Sequence, residues 1–99
     1  MEDLSRFPAA ARRKAGFQLF RVQAGDDPDD WKPMNDIGPG VKEIRIRERD
    51  GAFRVFYVAS FARAVYVLHC FQKKTRKTSS ADKELAKRRY KELVREIEK

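Results

Sequence analysis

Between residues 5 and 24, apolar side chains return every three or four positions. Phe7, Ala11, Ala15, Leu19 and Val22 make one stripe, with Phe20 beside it. That period predicts a helix burying one face. Arg12, Arg13, Lys14 and Arg21 take much of the remaining surface. Ser5 is placed to cap the helix, Pro8 fits its first turn, and Gly25 is a natural stop. Gly16 weakens the middle by about 1 kcal/mol relative to alanine, which allows a break there. Periodicity then vanishes. GDDPDDWKPMNDIGPG (25–40) predicts a loop, with Trp31 packing under it.

Alternation replaces the helical period from residue 41. In VKEIRIRE (41–48), Ile44 and Ile46 share one face, while Glu43, Arg45 and Arg47 share the other. Arg49-Asp50-Gly51 predicts a hairpin turn. AFRVFYVA (52–59) is strongly β-forming, and residues 60–63 predict a second connection. AVYVLHCF (64–71) is apolar on both faces, which predicts a central or well-covered strand. The helical period returns over 80–98. Ala86, Tyr90, Leu93, Val94 and Ile97 form its stripe, and Ser79 is placed to cap it. The pattern predicts one α+β domain over 1–99. It has an N-terminal helix or helical hairpin, a three-strand antiparallel meander and a C-terminal helix.

Charge narrows the partners. Twenty-three Lys and Arg against fifteen Asp and Glu give +8 on 99 residues. Such a surface attracts polyanions: nucleic acid, an acidic protein or an anionic membrane surface. No run of about 18 apolar residues is present to span a bilayer. One cysteine excludes an intrachain disulfide and a cysteine-based zinc site. Asp26, Asp27, Asp29, Asp30 and Asp36 lack the spacing of a calcium loop.

The candidate chemistry lies on the strands and just after them. Arg45 and Arg47 are about 7 Å apart by strand rise. They form either a solvated face or a clamp for neighbouring phosphates. Arg54 is flanked by Phe53, Val55, Phe56 and Tyr57, so it needs a buried partner or a ligand. Lys73, Lys74, Arg76 and Lys77 follow the last strand as a solvated loop or a phosphate grip. His69 is the only histidine, either a proton-transfer group or a hydrogen-bonded structural residue. Cys70 reads as a packed core thiol. Trp31 and Phe71 are either core residues or platforms for stacked bases.

Several segments, in order, resemble the RelE/ParE toxin superfamily, and in particular the phage-derived HigB-like toxins of type II toxin–antitoxin systems. These are DPDDWKPM, GPGVKEIRIR, FRVFYVA and VYVLHCFQKKTRKTS, together covering about residues 28–80. The resemblance implies a RelE-like, microbial-ribonuclease-like fold. It implies a metal-independent, cofactor-free endoribonuclease that cleaves mRNA on the ribosome by 2′-hydroxyl attack on the adjacent phosphate. Implied partners are a HigA-like helix-turn-helix antitoxin, in a hetero-oligomer, with mRNA and the ribosome, in the cytoplasm and away from membranes. Position by position, Arg54 matches the residue that contacts the scissile phosphate. Arg45 and Arg47 match paired cations on the preceding strand, and Lys74 matches the cation after the last strand, with Arg76 two residues on. The family's catalytic tyrosine has no counterpart in place, the nearest being Tyr57, Tyr66 and Tyr90. The usual strand before the first helix is also missing. Alternatives within the resemblance are a ParE-like gyrase poison and a degenerate, non-enzymatic nucleic-acid-binding member.

Overall fold

The computed structural model describes residues 3–61, 64–74 and 76–98. A short 3-10 helix (Asp3–Arg6) leads into helix α1 (Ala9–Gln23). Strands β1 (Trp31–Pro33), β2 (Val41–Glu48), β3 (Gly51–Phe61) and β4 (Ala64–Lys73) follow, and helix α2 (Ser80–Ile97) comes last. The strands form one antiparallel sheet in the order β1-β2-β3-β4. The α+β architecture and the meander are those the pattern predicts. The difference is β1, a fourth, three-residue strand within the expected loop. It pairs Trp31 with Ile44 and Pro33 with Lys42, and three residues are too few to leave a period. Trp31 therefore lies half-buried on a sheet edge rather than under a loop. The Lys42 ammonium sits 4.4 Å from its ring centroid.

The first helix starts later than expected. Pro8, with ψ 152°, turns the chain between the 3-10 helix and α1 and occupies the cap position. Ser5 instead belongs to the 3-10 helix. Gly16 does not interrupt α1, because interior packing on the opposite face holds that turn in place. Gly25, at φ 96°, ends it. The Gly25 N–H donates to Val22 O (3.0 Å) and the Asp26 N–H to Arg21 O (2.9 Å), so two terminal carbonyls are satisfied. Gly51, at φ 136°, closes the β2–β3 turn. Of the expected connection at 60–63, Ala62 and Arg63 lie outside the described residues. The two other positions continue β3. No strand precedes α1 among the described residues.

The helices cover opposite faces of the sheet. On one, Phe7, Ala11 and Ala15 pack on Ile44, Ile46, Phe53, Val55, Tyr57 and Cys70. Cys70 is thus a core residue, as expected. On the other, Ala86 of α2 joins Met34, Ile37, Val41, Phe56, Val58 and Leu68. β4 is an edge strand. Its two-sided apolar pattern reports helices on both faces, not a central position. Phe20, read as flanking the core stripe, points outward instead and is 66% exposed.

Tyr57 sits in the α1-side core at 1% exposure. Burial, with the charge of Asp27, pushes its hydroxyl up from 10.0 to about 12. An acid whose folded value is raised keeps its full contribution below the unfolded value and loses it above. Stability is therefore expected to fall from pH 10 to about 12, by up to about 3 kcal/mol. Urea unfolding across that range checks this, and Tyr57→Phe should remove this component of the slope.

Candidate nucleic-acid interface

Strand register assembles the site. Arg45 pairs with Arg54, and Arg54 with Phe71. One step along, Arg47 pairs with Ala52 and Ala52 with Lys73. One step the other way, Glu43 pairs with Phe56 and Phe56 with His69. Side chains alternate along strands, so these three rows share one face, the face that carries α2. α2 and the loop before β2 cover its lower part around Phe56 and Val58. The upper part carries Arg45, Arg47, Arg54 and Lys73.

Opposed like charges destabilise a sheet, and Arg45 faces Arg54 directly. Glu43 offsets this from below, at 1% exposure. Its Oε1 accepts from Arg45 Nε at 3.4 Å and lies 3.8 Å from Arg54 Nε. Arg54, 8% exposed, donates through Nη1 to Phe53 O at 3.1 Å. Arg45 also approaches Asp30 at 3.9 Å. The compensation is incomplete. Glu43 Oε2 and Arg54 Nε are buried and make no hydrogen bond among the described residues. Burial lowers the Arg54 guanidinium from its ordinary value; Glu43 opposes that, while Arg45 and Arg47 add to it. Lys73 is lowered by its own desolvation and then by the Arg54 charge. The face holds crowded cations that an incoming anion would relieve.

His69 belongs to the same face but is held from the side. Its Nε2 is 2.7 Å from Asp82 Oδ1, and its ring stacks on Phe71 with centroids 5.1 Å apart. Ser79 Oγ donates to Asp82 Oδ2 at 2.6 Å, and the Asp82 N–H donates back to Ser79 Oγ at 3.1 Å. The first turn of α2 thus clamps β4 through its own cap. Lys74 and Lys77 are exposed on the β4–α2 connection and, with Lys73, line a cavity of about 190 Å³ beside Phe71 and Asp82. Arg76 is exposed and is not part of that lining. The fold therefore joins Arg45, Arg47, Arg54 and Lys73 and flanks them with Lys74, Lys77 and His69, with Arg76 exposed on the same β4–α2 connection.

None of the tyrosines considered for proton transfer joins the cations. Tyr57 is buried on the opposite face. Tyr66 pairs with Val58 at the far end and lines a groove with Arg89. Tyr90 donates to Pro39 O at 3.0 Å, and its ring packs so closely on Gly38 that a Cβ there would meet it at 2.6 Å. The loop aspartates act as tethers: Asp29 to Arg21 (2.9 Å), Asp27 to Lys42 (3.4 Å) and Asp36 to Lys83 (3.3 Å). Two carboxylates that contact these residues, Glu43 and Asp82, were not among the candidate site residues of the sequence reading. Asp82 lies in the first turn of α2, where an acid suits the helix start whatever else it touches. Glu43 carried one signal: an acid in a strand of β-branched and basic residues, two positions from Arg45 and so on the same face.

No curated protein and no solved structure matches the chain. The model of one family does, over residues 2–91. That span takes in all four sheet cations together with Glu43, His69 and Asp82, and it shows that the chain belongs to the family of phage-derived Gp49-like proteins (DUF891).

Proposed function

We propose that the chain is the toxin of a type II toxin–antitoxin pair and an mRNA endoribonuclease of the RelE/HigB kind, acting on ribosome-bound message in the cytoplasm. Membership of the Gp49-like family is compatible with a toxin, and a toxin requires an antitoxin partner. The observation that carries the reading is the convergence of Arg45, Arg47, Arg54 and Lys73 on one open sheet face over the buried Glu43 carboxylate. In the reaction, a ribose 2′-oxygen attacks the neighbouring phosphorus and gives up its proton. The bond to the 5′-oxygen breaks, and that oxygen takes a proton. The products are a 2′,3′-cyclic phosphate and a 5′-hydroxyl. Arg54, supported by Arg45 and Lys73, neutralises the charge that builds on the phosphoryl oxygens. Arg47, Lys74 and Lys77 hold neighbouring phosphates, and Arg76 adds charge to the approach. His69 is the proton-transfer group nearest the cations. Cations of the chain itself supply the electrostatics, so the reading needs no metal.

One observation favours a non-cleaving reading, a gyrase poison or a binding-only member: the candidate tyrosines all lie away from the cations. Induction in cells with mapping of mRNA 5′ ends decides between them. Cuts within translated frames are expected, and they should be largely lost in a Glu43→Gln/Arg54→Met/Lys74→Ala variant but kept in Glu43→Gln alone, which leaves no buried charge without its partner. Growth arrest without cuts overturns the ribonuclease reading, and supercoiling assays then test gyrase.

A further inference from the structure

We infer that the outward face of α1 is a docking surface for an acidic amphipathic helix of a partner protein. α1 carries two large aromatic rings, Phe17 and Phe20, among cations on the side away from its buried stripe. At about 100° per residue, Arg13, Phe17, Phe20 and Ala24 form a stripe opposite Ala11, Ala15 and Val22, the side that meets the sheet. Phe17 and Phe20 are 57% and 66% exposed, the largest exposures among the described large hydrophobic residues. Gly16 beside them is exposed, and a Cβ there would meet nothing within 4 Å, so the surface is open to close approach. Two aromatic rings one turn apart suit the ridge-and-groove packing of a second helix. A groove of about 540 Å³ adjoins Phe17 and is lined by Arg13, Lys14, Gln18, Arg45 and Arg47.

Charge selects the occupant. α1 holds Arg12, Arg13, Lys14 and Arg21 and contains no acidic residue. The groove's own acids are committed, Asp29 to Arg21 and Gln18, and Asp30 to Arg45. A second copy would set like charges against like, with +8 on each chain. An acidic helix meets no such barrier. Because Arg45 and Arg47 belong both to this groove and to the cationic sheet face, its carboxylates would compete there with RNA phosphates. That the partner is the antitoxin rests on the proposed function; the docking surface does not.

The probe is a synthetic helical peptide with leucines at i, i+3, i+4 and i+7 and glutamates on both flanks. A scrambled peptide of the same composition and a labelled single-stranded RNA accompany it. The ordered peptide should bind wild-type protein about tenfold or more tighter than the scrambled one. It should bind a Phe17→Ser/Phe20→Ser variant equally weakly, and it should displace RNA from wild type. Both rings are exposed, so the variant should keep the wild-type Tm; Phe20→Ser alone provides a milder change of the same sign. Equal binding by the double variant, or by the scrambled peptide, overturns the inference. So does a loss of RNA affinity in the double variant without peptide, which would make this face an RNA surface. A wild-type dimer in sedimentation that the double variant lacks would assign the face to a second copy and overturn it as well. Failure of the ribonuclease reading is read separately, from mRNA cleavage, which the double variant should retain.

Discussion

Replacing Arg54 by methionine in a Glu43→Gln background is expected to lower RNA cleavage by about 10²–10³-fold, the loss seen when one transition-state charge stabiliser is removed. The paired change matters. Arg54 is nearly buried and shares Glu43 with Arg45. Removing the guanidinium alone would leave a buried carboxylate undercompensated and confuse folding with function. Substituting both members by neutral groups of similar volume keeps the fold at little cost. The comparison is with Glu43→Gln alone. RNA affinity should fall less than cleavage, and the slope of log affinity against log salt should drop by about one contact. Arg54→Lys keeps the charge but loses the two-pronged geometry, so it should recover affinity better than rate. Fluorescence anisotropy and a cleavage assay on the same preparations measure both. An unchanged rate in the double variant would remove Arg54 from the chemistry.

Glu43→Ala should be the most damaging single change for stability. It deletes the carboxylate beneath two opposed guanidiniums, one of them 8% exposed. Breaking a buried pair in this way costs about 3–5 kcal/mol, comparable with the lower end of a domain's whole stability. In a chain of this size that is a fall of roughly 15–30 °C in Tm. Glu43→Gln should fall less, because it keeps the volume and an accepting oxygen. The decisive sign is the response to anions. Added inorganic phosphate should raise the Tm of Glu43→Gln more than that of wild type, since the anion replaces a counter-charge that only the variant lacks. Equal shifts in both proteins would mean that phosphate does not reach this cluster.

Much of the scaffold was legible because its signals are local. The stripe through Phe7, Ala11 and Ala15, the alternation through Ile44 and Ile46, the Asp50-Gly51 turn and the Ser79 cap each depend only on near neighbours. What was missed involved competition or distance. Pro8 displaced Ser5 as the helix start, because an extended ψ at one residue outweighs a favourable capping side chain three residues earlier. β1 exists only because β2 offers it a partner. Phe20 is apolar and adjacent in sequence to Leu19 of the core stripe, but at about 100° per residue it lies opposite Ala11, so the geometry of the helix turns it outward. The site followed the same division. Arg45, Arg47 and Arg54 were visible as basic residues on strands of known alternation, and Lys73, Lys74, Arg76 and Lys77 as a basic run at the end of the last one. Glu43 and Asp82 were not, because a carboxylate gains its meaning from what lies across a strand or on another element.

The sequence by itself determined the two helices, the three long strands, most of the faces they bury and the cationic character of the open face, since periodicity and charge are properties of the chain. The tertiary structure decided which cations meet. Register set Arg45 against Arg54 and placed Lys73, rather than Lys74, on the same face. It put Glu43 beneath the two arginines and brought Asp82 from α2 to His69 on β4. A shift of one residue in either pairing would have sent those side chains to the opposite face. That is why the site depends on long-range hydrogen bonding that no local pattern encodes.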